Sequence, residues 1–194
     1  KYMKKESTFL VSFLLLGLMI KAQTLFTKIN ETESGVFFNN LIGETKETNV
    51  LSYAYLYNGG GTAIGDINND GLPDIYFVGT MIPGKLYLNQ GNFKFKDITE
   101  SANVGGGDGF RTGVTFVDVN SDGLLDIYIC KSGLADQKRR KNVLYVNNGN
   151  LTFTERAAEY GIDDESYSMQ SYFYDMDLDG DLDLLILNHP YEMR

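Results

Sequence analysis

Three nine-residue stretches gather the groups that could hold a cation: DINNDGLPD (66–74), DVNSDGLLD (118–126) and DMDLDGDLD (175–183). Counted from the first Asp of each, positions 1, 3 and 5 are Asp66, Asn68 and Asp70, then Asp118, Asn120 and Asp122, then Asp175, Asp177 and Asp179. Position 6 is Gly71, Gly123 or Gly180, and position 9 is Asp74, Asp126 or Asp183. Alternate side chains converge when a backbone wraps around a point, and glycine permits the sharp turn that wrapping needs. The carbonyl of position 7, from Leu72, Leu124 or Asp181, then faces the same centre, and position 9 closes the sphere. Every donor is oxygen, so the ion is hard. Six or seven oxygens on a flexible loop suit Ca²⁺ better than Mg²⁺, which demands a tight octahedron. The spacing predicts one Ca²⁺ per loop.

Two competing readings are weaker. An EF-hand needs a bidentate Glu at position 12 and flanking helices, but position 12 here is Phe77, Ile129 or Ile186, inside apolar strand-like text. Asp-Gly also makes hairpin turns without metal. Three copies that keep all five positions argue against that bland explanation. Of the 26 acidic residues, 11 fall in these 27 positions, so the formal charge of −9 is concentrated, not spread. A phosphate-binding surface should be basic, which argues against nucleic acid as a partner.

The loops need elements to carry them. Asp66 to Asp118 is 52 residues and Asp118 to Asp175 is 57. A second mark recurs at a constant offset of 58: KLYLNQGNFKFKDIT (85–99) and VLYVNNGNLTFTERA (143–157). The difference is absorbed by the longer link SGLADQKRRKN (132–142), which is what a loop tolerates. Each unit reads as four short strands: TAIGDI, DIYFVG, KLYLNQ and FKFKDIT, then GVTFVDV, DIYICKS, NVLYVNN and LTFTERA. The third unit has SYFYDM and DLLILNH. ESANVGG and AAEYGID are expected to be linkers of one helical turn each. Four strands per unit of this length is the period of a β-propeller blade. The expected fold is therefore all-β: a partial β-propeller of four-stranded antiparallel blades with calcium-binding loops, comprising two complete blades and the start of a third. LSYAYLY (51–57) is expected as a further strand of an earlier element.

With these motifs in hand, the chain resembles FG-GAP/VCBS repeats, which are similar to the calcium-binding blades of integrin α-subunit propellers. The lead-in GVFFNNLIGE…NVLSYAYLYNGGGTAIGDINNDGLPDIYFVG resembles exported bacterial proteins related to the cartilage acidic protein group. The resemblance spans about residues 34–190 and implies a propeller fold with structural calcium. It says little about biochemical role.

The N-terminus reads as a signal peptide over 1–22: Lys4 and Lys5, an apolar run from Phe9 to Ile20, then Ala22. The run is short for a membrane span. Removing four lysines and one glutamate would take the charge from −9 to −12. Residues 23–50 are then a lead-in and 51–194 the repeat region. Export predicts a secreted or cell-surface protein. Cys130, the single cysteine, allows no intrachain disulfide and reads as a core thiol, so metal ions are the available staples.

Catalytic groups are sparse. His189, the single histidine, reads as a blade-end loop residue, and the conspicuous carboxylates are committed to metal. The basic run 138–141 reads as a solvated loop, with a contact patch for an anionic partner as the alternative. The sequence thus predicts a non-enzymatic, secreted, calcium-binding module for an extracellular protein or glycan. The competing class is the propeller portion of an extracellular polysaccharide-active enzyme.

Overall fold

The computed structural model describes residues 25–133 and 136–190. The expected signal peptide lies outside the described residues. Among these, no helix is long and apolar enough to cross a membrane.

The first two units each fold as a four-stranded antiparallel meander. The first sheet is β1 (Thr62–Gly65), β2 (Asp74–Phe77), β3 (Lys85–Asn89) and β4 (Phe95–Asp97), in that spatial order. The second is β5 (Phe110–Val117), β6 (Asp126–Ser132), β7 (Val143–Asn147) and β8 (Phe153–Glu155). The third sheet pairs β9 (Ser168–Tyr174) with β10 (Asp183–Asn188). The registers repeat with the sequence. Tyr76 pairs with Leu86 as Tyr128 pairs with Leu144, and Tyr87 pairs with Asp97 as Tyr145 pairs with Glu155. A single helical turn follows each complete sheet, α2 (Thr99–Ala102) and α3 (Ala157–Tyr160). Each ends on a left-handed residue, Asn103 or Gly161. The linkers are thus the one-turn helices that the sequence predicts.

The first strands of successive sheets stand side by side, β1 against β5 and β5 against β9. Threonine hydroxyls join them: Thr112 donates to the Ser168 carbonyl at 2.7 Å and Thr115 to that of Ser171 at 2.8 Å. A Cβ on Gly113 would lie 2.5 Å from the Met169 carbonyl oxygen. Glycine there lets β5 and β9 approach closely.

Period-two alternation explains why β6 is buried along its whole length. Ile127 and Ile129 face the first sheet, in a core with Ile67, Tyr76, Leu86, Val114 and Tyr145. Tyr128 and Cys130 point the other way, into a core with Leu144, Val146 and Ala157 that Phe173, Leu184 and Ile186 cover. Each fully buried aliphatic side chain contributes about 1.5–3 kcal/mol, so the two interfaces are the main cohesive element. The tyrosine hydroxyls are satisfied in matching places. Tyr76 donates to the Val104 carbonyl and Tyr128 to that of Ile162, both just beyond a helical turn.

The start of the repeat region departs from expectation. Residues 51–57 form successive turns and no strand, with Leu56 N–H donating to the Tyr53 carbonyl and Asn58 N–H to that of Tyr55. Their alternating apolar pattern is spent on a third small core of Tyr53, Leu56 and Phe110. Earlier, in the lead-in, Glu31–Ser34 forms one helical turn, α1, and Asn40 hydrogen-bonds Thr80 through both its amide nitrogen and its amide oxygen.

Candidate metal sites

The three acidic stretches are the turns between β1 and β2, β5 and β6, and β9 and β10. Their backbones have one conformation. Position 4 is left-handed in each, at Asn69, Ser121 and Leu178 (φ 57°, 58° and 63°). Position 6 is left-handed as well, at Gly71, Gly123 and Gly180 (φ 84°, 83° and 99°). A leucine in that region is strained, which makes its recurrence at position 4 of the third loop informative.

The same hydrogen bonds hold each loop. The position-1 carboxylate accepts the position-5 N–H at 3.1 Å in all three, at Asp66, Asp118 and Asp175. Its second oxygen accepts the glycine N–H at 2.7, 2.9 and 3.0 Å. The position-5 carboxylate of Asp70, Asp122 or Asp179 accepts the position-7 N–H at 2.9, 2.9 and 3.1 Å. The position-9 carboxylate of Asp74, Asp126 or Asp183 accepts the position-2 N–H at 3.0, 3.0 and 2.8 Å. In the complete units its other oxygen accepts from the third strand, Asn89 or Asn147 N–H, at 2.7 Å each. Asp74 and Asp126 are wholly buried. The chain thus organises these carboxylates with its own N–H groups. A carboxylate oxygen that accepts one N–H keeps a lone pair for another partner.

The donor chemistry fits a hard divalent cation. Asp175, Asp177 and Asp183 bring one carboxylate oxygen each within 4.8 Å of one another. Among the described residues, that is where three carboxylates converge in this way. Asp179 stands apart from the trio and hydrogen-bonds the Asp181 side chain, which together with its negative charge raises the Asp181 carboxyl above its usual range. In the first two loops position 3 is an amide. Asn68 and Asn120 donate to Asp70 and Asp122 at 3.0 and 2.9 Å, folding position 3 onto position 5. Burial pushes the Asp74 and Asp126 carboxyls up, against the backbone N–H groups that lower them. Asp66 goes the other way: four backbone N–H groups, led by Gly71, outweigh its desolvation.

The loops also touch one another. Asn69 donates to the Gly123 carbonyl at 2.9 Å, and Asn147 to that of Ile67 at 2.8 Å. The asparagines of the second sequence mark therefore brace the acidic loops. Asn89 and Asn147 reach the carbonyls of Pro73 and Leu125, and their side-chain oxygens cap the turn at Gly91 and Gly149.

Two other groups of polar residues, expected as a blade-end loop residue and a solvated loop, make contacts that the sequence does not signal. His189 sits in an aromatic cage: stacked on Tyr55 at 4.3 Å and beside Tyr53 and Tyr167. Its Nδ1 faces the Pro190 carbonyl at 2.8 Å, so that nitrogen carries a proton, and Nε2 lies within hydrogen-bond distance of the Ser132 (3.0 Å) and Tyr53 (3.1 Å) hydroxyls, which also bond each other. The Ser132 hydroxyl is fully buried, so no substrate carbonyl reaches it in this arrangement. The cluster fastens the start of the repeat region to β6 and to the end of β10. The basic run is similarly engaged. Arg139 pairs with Asp108 at 2.8 Å, Lys141 with Asp163 at 2.5 Å, and Arg140 lies 4.4 Å over the Tyr167 ring. No spacing in the sequence signals either arrangement, because the partners lie 22 to 136 residues away.

Residues 66–129 match the family model of the FG-GAP-like repeat. The match starts at the first Asp of the first loop, includes the whole second loop and stops inside β6. The repeated four-stranded antiparallel sheets are consistent with that repeat type. A search of curated proteins finds no match to the chain.

Proposed function

We propose that this chain is part of a secreted, calcium-stabilised repeat module that binds a protein or glycan outside the cell. The observation that carries the calcium reading is the threefold loop: one backbone, one hydrogen-bond set and one pattern of oxygen donors. Asp66, Asn68, Asp70, Asp74 and the Leu72 carbonyl would hold the first ion. Asp118, Asn120, Asp122, Asp126 and the Leu124 carbonyl would hold the second. Asp175, Asp177, Asp179, Asp183 and the Asp181 carbonyl would hold the third. The ion supplies charge neutralisation and cross-linking of side chains, and no bond-making chemistry. The chain's own part is to fix the turn that joins the first two strands of each unit. The cohesion between sheets then no longer opposes a concentration of negative charge.

The match to the FG-GAP-like repeat favours a binding module at an extracellular surface. Integrin-like adhesion to protein and attachment to polysaccharide both fit that frame. The enzyme alternative draws on the same export reading and differs by requiring a catalytic group. His189 and Ser132, the nearest approach to a dyad, are absorbed in a partly buried hydrogen-bond cluster with Tyr53. Glycan and extracellular-matrix arrays probed with the calcium-loaded protein test the reading. Binding that is lost with a chelator and leaves the glycan intact supports it. Shortened glycan products favour the enzyme instead.

A further inference from the structure

At the end of the β5–β6 hairpin remote from its acidic loop, two cations face each other. Arg111 and Lys131 are direct cross-strand partners, and both are more than nine-tenths buried. Like charges directly opposite on an antiparallel pair destabilise it, and with both residues largely covered little water is left to screen them. Neither forms an ion pair among the described residues. Arg111 spends three N–H groups on backbone carbonyls, those of Gly79, Ile82 and Gly107. A guanidinium has five, so two are left. The Lys131 ammonium has no hydrogen-bond partner among the described residues. Burial, and then the Arg111 charge, push it below its usual range.

A cavity of about 590 Å³ opens here, lined by Arg111, Arg139, Tyr53, Phe110 and Met81 among others. That is within the size of pockets that take small organic ligands. Lys131 lies behind the wall: Cε is 3.1 Å from where a Cβ on Gly109 would stand, and Gly109 lines the cavity. Its carboxylates are largely occupied. Asp108 accepts from Arg139 and from Gly109 N–H, and Asp136 caps the 3₁₀ turn through Lys138 N–H. Glu47 is exposed. Asp108 is the carboxylate whose charge both Arg111 and Lys131 feel, and it is already paired with Arg139, so three cations share it, while Tyr53 and Phe110 offer flat apolar surface beside them.

The geometry points to a binding site for an oxyanion on a sugar-sized ligand, a uronate carboxylate or a sulfate ester, held between Arg111 and Lys131. This deepens the binding-module reading by naming a ligand class, but it uses none of the acidic-loop residues. A planar carboxylate would take the two spare guanidinium N–H groups side by side, with the ammonium on its other edge. The hairpin separates the cavity from the calcium loop by about 20 Å of strand.

The test is calorimetric titration of the full chain, in calcium, with sodium glucuronate, sodium sulfate and glucose, each to low millimolar concentration. One saturable site for at least one anion and none for glucose is expected. Preference between the two anions identifies the group as carboxylate or sulfate. Lys131→Met should weaken anion binding about tenfold or more and, without ligand, should melt above the unsubstituted protein because the opposed charges are relieved. A chain in which neither anion saturates overturns the proposal, as does a Lys131→Met variant that binds equally well. The unsubstituted chain provides a second reading: millimolar glucuronate or sulfate should raise its melting temperature above that in chloride of equal ionic strength, and no rise with either counts against the site. A calcium titration on the same sample reports separately on the module reading, so the two failures are distinguishable.

Discussion

Replacing Asp126 by alanine should unfold the protein more readily even when no calcium is present. The Asp126 carboxylate is fully buried and accepts two backbone N–H groups, from Asn147 on β7 at 2.7 Å and from Val119 in the loop at 3.0 Å. It thus ties the acidic turn to the third strand of its sheet. Alanine leaves the buried Asn147 N–H without a partner, at a cost of about 1–3 kcal/mol. The Val119 N–H is partly exposed and recovers some hydration, so its loss costs less. Against this, the buried carboxylate is itself poorly solvated, as its raised pKa indicates, and its removal returns part of that penalty. The net expectation is about 1–3 kcal/mol. For a chain of this size that corresponds to a fall in melting temperature of about 2–12 °C. The comparison is Asp122→Ala, which removes an exposed carboxylate bonded only within the loop and should cost below about 1 kcal/mol. Thermal melts of both variants in chelator make the measurement. If Asp126→Ala loses no more than Asp122→Ala under those conditions, the brace between loop and third strand is not the stabilising contact inferred here.

Two further outcomes follow from the same geometry. Burial pushes the Cys130 thiol up to about 12, and only the thiolate reacts. At pH 8 a disulfide reagent should therefore label native protein at least about tenfold more slowly than denatured protein, and comparable rates would contradict the core placement. The third loop carries Asp177 where the others carry Asn68 and Asn120, so its positions 1, 3, 5 and 9 are all carboxylates. Affinity in such loops rises with ligand charge, so Asp179→Ala should reduce the calcium-dependent rise in melting temperature more than Asp70→Ala or Asp122→Ala. An equal or reversed ranking would overturn the charge-count argument alone.

Much of this was readable from spacing. The four-strand period, the hairpin register and the one-turn helices after β4 and β8 all follow from local pattern and turn chemistry, which act over a few residues. The loops were readable for the same reason, since positions 1 to 9 make their bonds largely among themselves. Failures came where distant contacts decide. The alternation of residues 51–57 mimics a strand, but Tyr53 and Tyr55 face His189, whose position no local rule fixes. Arg111 and Lys131 are unremarkable in sequence, and only the register of β5 on β6 sets them opposite each other. The sequence also treats all five loop positions as equivalent donors. The structure separates them: position 9 is buried and tied to the third strand, while position 5 stays at the surface.

The central claim is that the three loops hold calcium to keep the sheets together. The most direct measurement is calorimetric titration of chelator-stripped protein with Ca²⁺, paired with melting curves at the start and end of the titration. About three ions per chain are predicted, with preference over Mg²⁺. At 100 times the dissociation constant each bound site adds about 2.7 kcal/mol, so the melting temperature should rise by several degrees or more. A stoichiometry near zero, or a melting temperature that calcium leaves unchanged, would contradict it.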